Sequence, residues 1–258
     1  MVKGMKYRTH AIFGHYGSGK TEFAVNYALD LKKYYENVAI LDMDIANPYF
    51  RSRERQALMI ENGIDIHFNT YGYDISEDLP AITATVRAPL ENVKYQTVVD
   101  VGGNDSGARI INQFRKYFVN EDTRLLAVLN FNRPDTETID KSIEQIKSIE
   151  TEIGIKMTGI INNTHMLRET TTDDIIEGFL NSLEVSEILG IPVVYNTCEK
   201  HLLNELIKDA QDREIDCKVL DIQAGIDNGI EASNENSLKK TMFIYPITLQ
   251  MRPTWLDV

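Results

Sequence analysis

The chain has 258 residues, 43% of them hydrophobic, and a formal net charge of −12. That length suffices for one well-buried α/β domain, or at a stretch two, and no apolar run approaches a membrane span. The acidic balance argues against nonspecific binding to nucleic acid or anionic membrane, since both need clustered cations to displace counterions. Two cysteines, Cys198 and Cys217, are too few and too isolated for a disulfide framework. Neither sits in a Cys-x-x-Cys or Cys/His cluster, so both are read as structural thiols. The N-terminal Met-Val-Lys-Gly-Met-Lys-Tyr lacks the apolar stretch of a signal peptide, and the cytoplasm is the expected location.

The first element is a strand at Tyr7 to Phe13, aromatic and β-branched enough to be buried. Gly14 to Thr21 follow as Gly-His-Tyr-Gly-Ser-Gly-Lys-Thr, a complete G-x-x-x-x-G-K-[ST] loop. Phe23, Ala24, Tyr27, Ala28 and Leu31 then recur at helical spacing. By chance the four fixed positions occur in roughly one chain in a hundred of this length, before strand and helix are demanded on either side. Such a loop turns backbone N–H groups inward around an anion. Lys20 supplies a cation to the outer phosphates, and the Thr21 hydroxyl is offered to Mg²⁺. The expected ligand is a nucleoside triphosphate, bound by Gly14, His15, Tyr16, Gly17, Ser18, Gly19, Lys20, Thr21 and the adjoining Glu22.

The second strand ends in Asp42-Met43-Asp44. In an extended chain the i, i+2 spacing aims both carboxylates the same way, where like charges need a cation or donors. One reading is Mg²⁺ or water management beside the γ-phosphate; the other is solvent-facing acids before a turn containing Pro48. A helical stretch from about Arg51 stops at Gly63, and Ile64 to Phe68 is the third strand. Thr97 to Val101 is apolar without alternation, as a strand covered on both faces should be. Its Asp100, before Gly102-Gly103, is suited to hold Mg²⁺ through water while the glycines approach the γ-phosphate, or else caps a turn.

Helical patterns near Ala108 to Phe118, Thr136 to Ile153, Asp173 to Leu189 and His201 to Gln211 alternate with strands at Leu125 to Phe131, Met157 to Asn162 and Pro192 to Tyr195. The alternation predicts a three-layer α/β fold of P-loop type, with a mostly parallel sheet in a single domain. Its core spans about 7–212. The residues from about 213 to 258, with one more strand near Met242 to Tyr245, form a C-terminal appendage. Arg51, Arg53 and Arg55 are read as a solvated helical face, with contact to phosphate or an acidic partner as the alternative, and Arg109 as a surface group or part of a switch helix. The five histidines show no HxH or HExxH spacing, which argues against a dedicated zinc site.

Gly14 to Thr21, Asp42 to Asn47 and Asp100 to Gly103, in that order, resemble the P-loop, second-strand aspartate motif and Walker B/switch region of the MinD/ParA group of P-loop ATPases. This group belongs to the SIMIBI class, with the CobQ/CobB/MinD/ParA nucleotide-binding domain. The resemblance covers about residues 7 to 200 and implies an ATPase whose Mg²⁺·ATP state drives dimerisation or partner binding. It implies that Asp44 orients the attacking water, that Asp100 holds Mg²⁺ through water, and that Asp42 supports that shell. Members often carry an extra lysine at the second loop position, reaching the partner subunit's nucleotide. Here that position is His15, which puts a nucleotide-sandwich homodimer in doubt. The chain has no [NT]KxD signature after the late strand; Ile160-Ile161-Asn162-Asn163-Thr164-His165 ends it instead. In the group an asparagine here meets a purine edge, which implies Asn163, with Asn162 as runner-up, and favours ATP over GTP.

Three functional classes remain open: a slow regulatory ATPase with catalytic Lys20 and Asp44; a small-molecule kinase or ligase of dethiobiotin-synthetase or cobyrinate-amidase type; and a nucleotide-sensing assembly factor that hydrolyses negligibly. All three use ATP and Mg²⁺, the metal being held by Thr21, Asp42 and Asp100. They differ in whether the second participant is a protein or a small molecule.

Overall fold

The computed structural model of the chain describes residues 6–43, 56–68, 86–102, 112, 114–220 and 240–250. In chain order its elements are β1 (Thr9–Gly14), α1 (Lys20–Lys32), β2 (Val38–Asp42), α2 (Gln56–Glu61), β3 (Asp65–Phe68), β4 (Gln96–Gly102), α3 (Arg115–Phe118), β5 (Thr123–Leu129) and α4 (Ile139–Ile153). Then come β6 (Gly159–Asn162), α5 (Thr172–Leu189), β7 (Val193–Glu199), α6 (Leu203–Asp212), β8 (Asp216–Val219) and β9 (Thr241–Ile247). Residues 86–91 are also helical.

The strands form one nine-stranded sheet in the order β3-β2-β4-β1-β5-β6-β7-β9-β8. Every pairing is parallel. Every residue of β1, β2 and β5 is buried, which accounts for the apolar runs within them: helices cover both faces, so neither side of the pleat meets water. Alternate residues feed two cores. Ala11, Phe13, Leu125 and Ala127 pack with Ile143, Ile146, Ile175 and Phe179 of α4 and α5. Ile12, Ile40 and Leu126 pack with Phe23, Tyr27 and Leu31 of α1.

The helices begin and end where local chemistry dictates. α4 carries buried Ile143, Ile146, Ile149 and Ile153 at helical spacing. Its N-cap, Thr138, accepts from Lys141 N–H at 3.3 Å, and a cap of this kind stabilises a helix by about 1 kcal/mol. The sequence pattern places the start at Thr136, but that residue turns its hydroxyl back to Asn130 O at 2.5 Å, so the helix opens three residues later. α5 has a full capping box between Thr171 and Asp174.

β1 is the position from which the rest of the sheet grows. From it the chain builds outward to one side through β2 and β3, returns to β4, and crosses to β5, β6 and β7 on the other. The carboxyl end of β1 is therefore the topological switch point of the sheet, where parallel α/β folds leave a crevice. β8 and β9, within the segment read as an appendage, pair into this same sheet. The chain leaving β9 is fastened to α1: Thr248 N–H donates to Asn26 Oδ1 at 3.0 Å and Gln250 N–H to Glu22 Oε1 at 2.5 Å. Among the described residues no helix is long and apolar enough to cross a membrane.

Candidate functional site

The loop leaving β1 wraps at the switch point. Gly17 and Gly19 have φ of +76° and +83°, a left-handed backbone that side chains with a Cβ rarely adopt. A Cβ on Gly19 would also lie 2.1 Å from Asn163 Nδ2. Ser18 N–H closes a turn onto His15 O at 3.1 Å, and Lys20 and Thr21 open α1 with both side chains buried. Strand, glycine loop and helix in the middle of a parallel sheet make this the P-loop NTPase fold. Successive turned amides and a helix N-terminus form an anion cradle.

On one side of the cradle stand the acids. Thr21 Oγ1 donates to Asp100 Oδ2 at 2.6 Å, with Asp100 fully buried at 0% exposure. Asp42 is paired in register with Asp100 across β2 and β4, and Met43 N–H donates to Asp100 O at 2.8 Å. The Thr21 hydroxyl and the Asp100 carboxylate thus meet beside the loop, with the buried Asp42 in register on the neighbouring strand. Asp44, Gly103, Arg51, Arg53, Arg55 and Arg109 lie outside the described residues. Among the described residues no group of three or more His, Cys, Asp or Glu converges as a metal cluster. A hydroxyl with two carboxylates fits a hard cation such as Mg²⁺, which keeps much of its water and takes few protein ligands.

On the other side opens a cavity of about 470 Å³, lined by the loop, by residues following β5 and β6, and by the carboxyl ends of β7 and β9. That volume is in the range of small-molecule sites, roughly 300–1,000 Å³. Asn163 reaches it from β6, donating through Nδ2 to Ser18 O at 2.6 Å and accepting through Oδ1 from the Thr197 hydroxyl. Its amide thus braces the phosphate loop in addition to lining the cavity. Asn162 faces elsewhere, bonding Ile175 O at 3.0 Å and Asn196 Oδ1 at 3.1 Å, and does not line the cavity. Tyr16 stands at the mouth, 58% exposed. Glu22 lines the same cavity and is tied to Asn26 Nδ2 at 2.9 Å and to the C-terminal chain.

Residues that sequence reasoning did not single out complete the walls. Arg133 Nε donates to Gly17 O at 3.1 Å, and Asp135 Oδ2 lies 3.1 Å from His15 Nδ1. His165 is neutral: burial first, and the Arg133 charge second, lower its pKa to about 4. Its Nδ1 accepts from Leu167 N–H at 3.3 Å, so the ring proton is assigned to Nε2. Leu167 holds φ +55° while half exposed at the cavity wall, a strained backbone of the kind found around ligand sites. Cys198 lines the cavity too, but burial, then Glu199, push its thiol up to about 12, which removes it as a nucleophile at neutral pH. Ile247 and Leu249 supply apolar wall from the C-terminal strand. One signal was available in sequence: Asn130, Asn132, Arg133 and Asp135 are polar residues just after the apolar run of β5, at the same end as Asp42 and Asp100.

No family model matches the chain, and no curated protein matches it. Among solved structures, chloroplast FtsY from Physcomitrella patens aligns over 75% of this chain and 59% of that one, at 19% identity and a TM-score of 0.48. FtsY from Mycoplasma mycoides aligns over 74% and 59%, at 18% identity and a TM-score of 0.48. The chain spans about three-fifths of the length of these structures.

Proposed function

We propose that the chain binds Mg²⁺·ATP in this cavity and hydrolyses it slowly as a MinD/ParA-like regulatory ATPase, its nucleotide state governing a protein partner or self-association. The observation that carries the reading is the 2.6 Å bond from Thr21 to Asp100. It joins the phosphate loop to the acidic strand end, the two stretches whose oxygens would together hold a metal. Thr21, Asp100 and Asp42 would hold Mg²⁺, which when bound neutralises charge on the outer phosphate oxygens. Lys20 and the turned amides of Gly14 to Gly19 bind and orient the polyphosphate, and Asp44 orients the attacking water. Asn163 and the walls from β7 and β9 receive the base, and the absence of an [NT]KxD signature supports adenine.

Calorimetric titration with ATP and GTP tests this. Wild-type protein should prefer ATP, and Lys20→Ala should weaken ATP binding by about a hundredfold, since a charge-assisted phosphate contact of a buried lysine is lost. Unchanged affinity in Lys20→Ala would remove the phosphate assignment. Tighter binding of GTP would remove the base assignment.

A further inference from the structure

We infer that Arg133 supplies a second cation to the bound polyphosphate from within the same chain, so that one copy completes the phosphate site. The inference rests on the nucleotide-binding reading above and goes beyond it in naming the group and its origin.

The second position of the phosphate loop is His15, whose Nδ1 lies 3.1 Å from Asp135 Oδ2. That side chain is turned to the loop between β5 and α4. The same loop returns a cation: Arg133 Nε rests on Gly17 O at 3.1 Å, and the residue lines the cavity together with Lys20. Residue 17 is glycine at the point of closest approach, since a Cβ there would stand 3.2 Å from Arg133 Nε. No carboxylate among the described residues pairs with Arg133. The contact with Gly17 uses one N–H of a planar fork and leaves the remainder to meet phosphate oxygens, a geometry that lysine cannot match.

The loop is also held in place before any ligand arrives. Arg133 N–H donates to Asn130 O at 3.1 Å. Asn130 Oδ1 accepts from Asn132 N–H at 3.0 Å and from His165 N–H at 3.3 Å. Asn132 Nδ2 donates to Asp174 Oδ1 at 2.9 Å, tying the loop to α5. An arginine carried on so braced a loop loses little freedom on binding, so more of its attraction is realised as affinity.

The test is calorimetry on the full chain with a non-hydrolysable ATP analogue, ADP and adenosine, comparing wild type with Arg133→Ala and Arg133→Gln. The expected result is about a tenfold or greater loss for the triphosphate, a smaller loss for ADP, and none for adenosine. Wild-type affinity should be independent of protein concentration. Equal triphosphate affinity in both variants overturns the inference, as does an equal loss for adenosine, which would mean the side chain serves the nucleoside or the loop. A wild-type affinity that rises with protein concentration overturns completion within one copy. A wild type that binds none of these ligands strikes instead at the proposed function.

Discussion

Two histidines, one fully buried and one half-buried, each with an arginine beside it, sit in different parts of this molecule and teach different things. His10, near the start of β1, is fully buried, and its pKa is lowered to about 3 by burial first and by Arg124 second. His165, after β6, is lowered to about 4 by burial first and Arg133 second. By titration alone they are the same kind of residue. Their surroundings separate them. His10 packs edge-on against Tyr27 at 4.9 Å between ring centroids, and Arg124 lies over the rings of Tyr7 and Tyr195 and donates to Tyr195 Oη at 3.2 Å. Tyr27, Tyr195, Tyr245 and Phe23 close that cluster into a wall of aromatic contacts. His165 and Arg133 line a cavity that a ligand can enter. A perturbed histidine indicates a site only when space and convergent donors accompany it.

The largest effect that separates the two regions is on stability. Tyr27→Ala removes a fully buried ring and leaves His10 and Tyr195 without their hydroxyl neighbour. It should cost about 3–5 kcal/mol in denaturant unfolding. ATP affinity, measured below the unfolding transition, should change less than twofold. A loss under 1 kcal/mol would mean that the aromatic cluster is not a structural core.

Acid should next destabilise both histidines in the same direction. A folded pKa below the ordinary 6.5 means that the unfolded chain takes up a proton that the fold refuses. The stability contributed by keeping each ring neutral is present above about pH 6.5 and is lost progressively as pH falls toward the folded values. Each group should cost about 2 kcal/mol at pH 5. Unfolding free energies at pH 7 and 5 for wild type and His165→Gln measure the second contribution; identical pH dependence would show that His165 is not held neutral.

The sheet was largely legible in sequence because its strands are buried on both faces and so read as continuous apolar runs. The P-loop was legible because its chemistry demands particular residues at fixed spacing. Other features carry no local mark. β8 has only four residues, exposed or half-exposed along the edge of the sheet, so no core pattern announces it. β9 lies between β7 and β8, and that order cannot be read along the chain. Ile247 and Leu249 therefore gave no hint that they line the cavity. Asn163 was visible as a polar strand end, yet its tie to Ser18 spans 145 residues. Arg133 carries no local mark for the same reason: a single arginine before Pro134 has no meaning until β5 is known to lie beside β1.

The smallest expected effect separates the histidines most finely. A polyphosphate held by Lys20 and Arg133 brings negative charge next to His165 and offsets the arginine that helps keep the ring neutral. The pKa of His165 should therefore rise on binding, and the complex should take up well under one proton near pH 5. His10, enclosed by aromatic rings, should take up none. Calorimetry with the non-hydrolysable analogue in two buffers of different ionisation enthalpy reads this uptake. Subtracting the result for His165→Gln removes the ligand's own protonation. Equal uptake in wild type and His165→Gln would mean that the anion does not reach this wall of the cavity, and that His165, like His10, is only part of the structure.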